Sequence, residues 1–247
     1  MITRGMSIKD IVREYEIDEL ELLKQHNRIN QDNRYRRYIM KNLKSDCTYV
    51  FKPVHFKSSR GNDYLQLVVT KGYNQYKKYG LEIHNFMYYR IDNSGYYVVS
   101  QTDFHNILLS NDYGYTFYPP HFFNRYQERY VKEDKPRLDL IVDYFKANYV
   151  MSVMKSHNNQ EKYPGGFYCY GPHGITLGSL SEQLSRECDK VILFSNTFVT
   201  LDMLKGDQVE KIKELQKVYI ESNSIEKDNI PDIEIEFDPE IMIETME

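Results

Sequence analysis

Three side chains suited to phosphate chemistry recur at every fourth position of one segment: His121, Arg125 and Arg129 of PHFFNRYQERYV. Proline is tolerated in a first helical turn, so the segment predicts a helix of about three turns that ends before 132–136. Four residues of helix advance about 6 Å and turn only about 40° further around the axis. The three side chains therefore share one face, and the aromatic stripe beside them is expected to pack on a sheet.

This cationic stripe (His121, Arg125 and Arg129) suits the transphosphorylation of RNA. That reaction needs a base for the 2′-hydroxyl proton, an acid for the leaving 5′-oxygen, and cations around the phosphorane, and it needs no metal. Histidine titrates near neutrality, and arginine donates paired hydrogen bonds to phosphate while staying charged. The competing interpretation is a solvated helix face with stacking or salt-bridge roles.

A hydroxyl side chain later in the sequence is a further candidate for the site. The segments 191–194 and 197–200 predict a tight hairpin across Ser195-Asn196, with Thr197 and Val199 on one face and Phe198 on the other. Thr197 is thus a candidate donor to a phosphate.

The order PHFFNRYQER, then GITLG, then NTFVT resembles the barnase, EndoU, colicin and RelE group of metal-independent ribonucleases, especially its bacterial toxin and phage-associated members. The resemblance covers residues 115–202. It implies that His121 is the catalytic base, that Arg125 and Arg129 bind the phosphate, and that Thr197 is the late-strand hydroxyl. Two features depart from the group: Phe122 follows the histidine where a small residue is common, and no late tyrosine or second histidine accompanies Thr197. The general acid stays unassigned.

Other constellations are weaker. A zinc site built from Cys169, His173, Cys188 and His157 lacks the paired C-x2-C spacing of strong sites. The glycines at 165, 166, 171, 174 and 178 are not followed by the G-K-[ST] of a phosphate loop, so we interpret them as turn residues. We therefore expect no cofactor and no metal.

The length, composition and charge of the chain limit the class of protein to which it can belong. The 247 residues, 41% hydrophobic and 28% charged, predict a soluble chain with one main domain. No run approaches a membrane span, no secretory signal is visible, and three scattered cysteines favour a reducing cytoplasm. Residues 221–247 carry ten acids and one lysine, a net −9; with −4 for the whole chain, residues 1–220 are left at +5. RNA is a compatible partner of such a body, and so is a protein.

The N-terminal region is predicted to be helical. Ser7 to Asp10 fits a capping box, and Ile8, Ile11, Val12 and Tyr15 follow at helical spacing. A second helix is expected after a turn at 16–18, and its latter half, to Lys44, is basic. The basic half is either a solvated face or a phosphate-contacting arm, such as a small helix-turn-helix.

The sequence from residue 48 onward predicts a mixture of strands and helices. Period-two segments at 48–57, 63–70, 82–91 and 96–100 flank turn-rich loops and predict an antiparallel meander, followed by a strand at 115–118. A helix is expected at 136–151, two strands around a turn in GGFYCYGPHGITLG, and a closing helix at 201–219 with Thr200 as N-cap. Its predicted core side is Leu201, Leu204, Ile212, Leu215 and Tyr219. The predicted fold class is α+β.

These elements divide into a helical N-terminal segment at 1–45, a main domain at 46–220 and an acidic tail at 221–247. The tail is either a solubilising extension or a nucleic-acid mimic that covers the cationic stripe.

Two functions follow from the sequence: a metal-independent endoribonuclease, or a non-enzymatic accessory protein of phage or mobile-element origin that binds nucleic acid or protein.

Overall fold

A computed structural model describes residues 2–43, 48–91, 93, 95–103, 113–149, 151–155, 166–204 and 207–223. Its helices are α1 (Ile8–Gln31), α2 (Asn33–Asn42), α3 (Gly72–Tyr79), α4 (Pro120–Tyr126), α5 (Arg137–Ala147), α6 (Glu182–Cys188) and α7 (Asp207–Asn223), with a π-helical turn at Gln127–Val131 and a 3-10 turn at Leu201–Met203. Its strands are β1 (Thr48–Val50), β2 (Val54–Lys57), β3 (Asp63–Lys71), β4 (Glu82–Arg90), β5 (Tyr96–Asp103), β6 (Tyr113–Tyr118), β7 (Ser152–Lys155), β8 (Gly166–Gly171), β9 (Gly174–Leu180) and β10 (Val191–Val199).

The ten described strands form one sheet. Nine follow the order β1-β3-β4-β5-β6-β10-β9-β8-β7, and β2 pairs with β3 beside β1. Every pairing is antiparallel except that of β6 with β10, which is parallel. An antiparallel meander therefore joins a second meander through one parallel pair. This is the α+β class that the sequence predicts.

Helices cover both faces of the sheet, and β3 shows why. Leu65, Leu67 and Val69 of β3 contribute to the core that holds α4 and α5, whereas Tyr64 contributes to the core under α1. Alternate side chains of a strand point to opposite faces, so a strand that is covered on both sides needs an apolar residue at nearly every position. The segment YLQLVVT meets this need, and all seven residues are buried.

The N-terminal helices pack on this sheet. The predicted capping box is confirmed: Ser7 Oγ accepts from the backbone N–H of Asp10, and the Asp10 carboxylate accepts from the backbone N–H of Ser7. The predicted turn at 16–18 is wrong, since α1 continues to Gln31. The break comes at Asp32. Its backbone N–H donates to the carbonyl of Ile29 at the end of α1, and its carboxylate caps the start of α2 by accepting from the backbone N–H of Arg34 (2.8 Å).

Several other element predictions need correction. The strand predicted at 48–57 is interrupted, because β1 and β2 pair with opposite ends of β3 and residues 51–53 separate them. Helices α3 and α6 and strand β7 were not predicted from the sequence. The closing helix begins at Asp207, Thr200 makes no side-chain cap, and Leu201 is exposed, whereas Ile212 and Leu215 are buried as predicted.

The predicted hairpin across Ser195-Asn196 is wrong. Residues 191–199 form the single strand β10, whose register against β9 shifts between Ser195 and Thr197. Asn196 is the extra residue of a β-bulge. Ser and Asn are favoured in turns, but here β6 and β9 hold the strand on both sides of its first half, so the chain continues straight.

The helix after the proline pair is partly as predicted. It begins at Pro120 and ends at Val131, and the next residue, Lys132, adopts a left-handed backbone (φ 59°). However, its second half is a π-helical turn rather than an α-helix, closed by the N–H of Lys132 on the carbonyl of Gln127 (2.8 Å). The wider turn alters the angular position of every residue after Gln127, including Arg129.

The prediction that the glycines are turn residues is confirmed for two of them and wrong for two others. Gly171 and Gly174 flank the turn between β8 and β9, as predicted. Gly166 and Gly178 instead lie in strands. Gly165, His157, Cys47 and the acidic tail beyond Asn223 lie outside the described residues. Among the helices that the structure describes, none is long and apolar enough to cross a membrane.

A polar network fastens α1 to the loop after β2. Glu14 forms an ion pair with Arg60, and Asn62 Nδ2 donates to the carboxylates of Glu14 (3.2 Å) and Asp18 (2.8 Å). Tyr64 Oη also donates to Asp18, at 3.0 Å. The hydrogen bond from Arg60 lowers the pKa of Glu14 from an ordinary 4.5 to about 2.

This shift predicts an acid-sensitive contribution to stability. Because the pKa of Glu14 is lower in the folded chain than in the unfolded chain, its contribution is complete above about pH 4.5 and is lost as the pH falls towards 2. We expect the urea midpoint of the wild type to fall more steeply over that interval than that of Glu14→Gln. Glu210→Gln, at an exposed position of α7, is the control. Parallel profiles for the wild type and Glu14→Gln would contradict the assignment.

Candidate functional site

The predicted site lies where β6 leaves the sheet. β6 pairs with β10 only through Val191–Phe194, and the chain then turns at Pro119 into α4. The second half of β10 therefore has β9 on one side and α4 on the other. Phe122 and Tyr126 of α4 pack against the Phe198 ring, which anchors the helix along this strand.

His121 is fastened to the bulge of β10. Its Nε2 lies 2.8 Å from the backbone carbonyl oxygen of Asn196, and its side chain is exposed. A carbonyl can only accept, so Nε2 carries a hydrogen and donates it. In the neutral ring the lone pair must then be on Nδ1, and Nδ1 is the atom that can take a proton.

Arg129 reaches the same strand two residues further on. One of its terminal nitrogens donates to the carbonyl of Phe198 and also to Thr197 Oγ1, at 3.3 Å. Carbonyls two residues apart point to the same side of a strand, so His121 and Arg129 bind the side of β10 that β6 no longer covers. The other three N–H groups of Arg129 have no partner within the described part of the chain.

Arg125 is placed differently. Its guanidinium pairs with Glu128 at 2.7 Å, and both side chains are about half exposed. An exposed pair of this kind contributes about 0–1 kcal/mol, so an incoming phosphate can replace the carboxylate. The structure thus brings His121, Arg129 and Thr197 to one bulge, while Arg125 pairs with a residue of the π-helical turn that follows α4.

A neighbouring aromatic cluster was missed as a site feature by the sequence analysis. The His173 ring stacks on Tyr130 at 4.1 Å, and its Nδ1 is hydrogen-bonded to Tyr126 Oη at 2.8 Å. Burial lowers the pKa of His173 to about 4, so this ring is neutral at pH 7. The cluster borders an open cleft of about 540 Å³ that also includes Lys135 and Asp143. The aromatic spacing on the helix was visible in the sequence, but its pairing with the turn before Gly174 was not.

Of the residues considered for zinc, the two cysteines that the structure describes lie in different cores. Cys169 is buried with Phe167 and Leu193, whereas Cys188 packs in the core under α1. Burial raises the pKa of the Cys169 thiol, which disfavours the thiolate that zinc requires. No group of three His, Cys, Asp or Glu side chains in the described ranges is arranged to hold a metal ion.

The arrangement can take up a proton and hold an anion. His121 Nδ1 is an oriented acceptor, Thr197 retains its hydroxyl hydrogen for donation, and Arg129 supplies fixed positive charge beside it. Within the described residues, no second imidazole is hydrogen-bonded to Thr197 or Arg129, so the site provides no evident general acid.

Comparison with protein-family models, with curated proteins and with solved structures finds no match to this chain.

Proposed function

We propose that the protein is a metal-independent endoribonuclease whose catalytic base is His121. The observation that carries the proposal is the hydrogen bond from His121 Nε2 to the Asn196 carbonyl, because it orients an exposed ring with Nδ1 as proton acceptor. Arg129 and Thr197 lie on the same stretch of strand and supply cation and hydroxyl to the phosphate.

In this mechanism, His121 Nδ1 accepts the proton of the ribose 2′-hydroxyl, and the 2′-oxygen attacks the adjacent phosphorus. Arg129 and Thr197 stabilise the charge that develops on the phosphorane oxygens, and Arg125 exchanges Glu128 for phosphate. The bond from phosphorus to the 5′-oxygen breaks, and water supplies the proton that this oxygen takes. The hydroxide left behind takes the proton held by His121. The products are a 2′,3′-cyclic phosphate and a 5′-hydroxyl end. The cytoplasm, which offers RNA and keeps Cys169 and Cys188 reduced, is the proposed location.

The test is cleavage of a fluorescein-labelled RNA oligonucleotide by the full chain in EDTA. We expect cleavage with cyclic-phosphate ends, and a rate about 100-fold or more lower in His121→Ala, since general-base catalysis contributes about 10²–10⁴-fold. His55→Ala, at an exposed histidine of β2, is the matched control and should retain the wild-type rate. A wild type that leaves the RNA intact, or equal rates in His121→Ala, would overturn the proposal.

The second candidate is a non-enzymatic accessory protein that binds nucleic acid. A specific observation favours it: His121 and Arg129 both bind carbonyls of β10, which is a sufficient structural reason for their presence on the helix. On this hypothesis His121→Ala and Arg129→Met lower the melting temperature, and the wild type binds RNA without cleaving it. The same assay therefore separates the two functions.

A further inference from the structure

A basic groove lies at the opposite end of the sheet from α7, between α2 and α3. Helices α2 and α3 together carry six exposed cations and no acidic residue: Arg34, Arg36, Arg37, Lys41, Lys77 and Lys78. Asp32 at the N-cap of α2 neutralises one of them through its pair with Arg34 (2.8 Å). The remaining excess charge is clustered on two adjacent helices in a chain whose net charge is negative.

The helices are oriented by what they bury. Tyr35 and Ile39 of α2 are almost fully buried in the core that also contains Phe51 and Val68. Since one stripe of α2 faces this core, Arg36 and Met40, one turn apart, face the groove. Packing of α2 therefore places Arg36 at the groove.

The groove between these helices has a volume of about 650 Å³. Three tyrosines and two cations line it together with amide side chains, and no lining residue is acidic. Tyr79 is 69% exposed at its rim, and the ammonium of Lys78 lies 4.8 Å from the centre of its ring. Rings, amides and cations lie side by side along one cleft.

The groove is also held in shape. Asn30, near the end of α1, donates to the carbonyl of His26 and accepts from the N–H of Leu81 at 2.8 Å, which ties α1 to the chain after α3. Gly80 is required at this contact. Its φ is +78°, and a Cβ there would lie 2.7 Å from Asn30 Oδ1. This contact holds the end of α1 against the chain that follows α3.

We propose that this groove binds single-stranded nucleic acid. Cations that track the phosphates and aromatic rings on which bases stack are the combination that single strands require. A carboxylate-rich protein would use the cations but not the exposed ring, and in a duplex the bases are stacked on one another and unavailable to Tyr79. The groove lies outside the candidate site on α4. It rests on the proposed function only for the identity of the natural strand as RNA.

The test measures the fluorescence anisotropy of labelled oligo(dT) with the full chain over a range of salt concentrations. Oligo(dT) has no 2′-hydroxyl and cannot undergo transphosphorylation, so the result is independent of whether RNA is cleaved. For Arg36→Glu/Lys77→Glu we expect at least tenfold weaker binding and a salt slope smaller by about 1.4, since each phosphate contact contributes about 0.7 for a single strand. Tyr79→Ala should weaken binding about fivefold or more, and Tyr79→Phe should not.

The matched control is Arg186→Glu/Lys213→Glu, which makes the same charge change at exposed positions of α6 and α7. It should bind as the wild type does, apart from a small effect of net charge. Three results would overturn the proposal: no binding by the wild type, equal weakening in the control, or an unchanged affinity in Tyr79→Ala. Binding to vesicles that contain phosphatidylserine, without binding to oligo(dT), would also overturn it and assign the groove to a membrane surface.

Discussion

Replacing Phe122 by alanine is expected to destabilise the protein by about 3–5 kcal/mol. The Phe122 side chain is completely buried. It packs edge-on against Tyr118 (5.3 Å), Tyr144 (5.0 Å) and Phe198 (6.3 Å), measured between ring centres. Truncation leaves a cavity among rings whose backbones belong to β6, α5 and β10, so these rings cannot all move inward to fill it.

The measurement is urea unfolding of Phe122→Ala beside Tyr79→Ala, an exposed aromatic residue whose loss should change the free energy of unfolding by less than about 0.5 kcal/mol. A change below about 1 kcal/mol in Phe122→Ala would show that α4 is not anchored through this ring. If the variant is folded at low temperature, the position of His121 can be tested separately, because helix α4 then loses one of its ring contacts with Phe198 of the strand that His121 binds.

Adding one methyl group at Gly178 is the second change with a large expected effect, a loss of roughly 3 kcal/mol. Gly178 lies in β9, opposite Ser195 at the bulge of β10 and beside Phe167 of β8. A Cβ at this position would lie 2.1 Å from Phe167 Cζ and 2.3 Å from the carbonyl oxygen of Phe194. The ring could rotate away, but the carbonyl belongs to the sheet, so the strands must separate.

A double-mutant cycle tests this explanation. Gly178→Ala should lower the free energy of unfolding less in a Phe167→Ala background than in the wild type, because the ring contact has already been removed. The part that persists measures the contact with the Phe194 carbonyl. A Gly178→Ala protein as stable as the wild type would show that β9 and β10 are not this close. In a destabilised but folded variant, the bulge that presents Asn196 to His121 should shift, and the proposed RNA cleavage should fall with it.

Structural features that depend on a few neighbouring residues were predicted correctly from the sequence. The capping box at Ser7, the helix start at Pro120 and the turn between Gly171 and Gly174 all formed as expected, because each depends on a few consecutive residues. The period-two pattern likewise indicated β3 and β4. These local signals were sufficient for the α+β class.

Signals that compete with a distant partner misled the sequence analysis. Ser195-Asn196 has the composition of a turn, yet it lies inside a strand, because β9 pairs with Ser195 and Thr197 on either side of Asn196. The turn predicted at 16–18 does not form, because α1 continues through Asp18 to Gln31 and the break comes at Asp32. Gly178 looked like a turn residue, although it is required by the approach of a ring and a carbonyl from two other strands.

In the candidate site, too, the sequence predicted the local features and the tertiary structure decided the contacts between distant residues. By itself the sequence determined that His121 and Arg125 lie one turn apart on a short helix, since that follows from the helical repeat and the prolines before it. It did not predict the π-helical turn that carries Arg129. Only the tertiary structure decided that His121 and Arg129 bind carbonyls of β10, that Thr197 lies beside Arg129, and that Arg125 pairs with Glu128. The physical reason is that a helix repeat is a property of adjacent residues. Which strand edge remains open beside that helix depends on residues about 70 positions away in the chain.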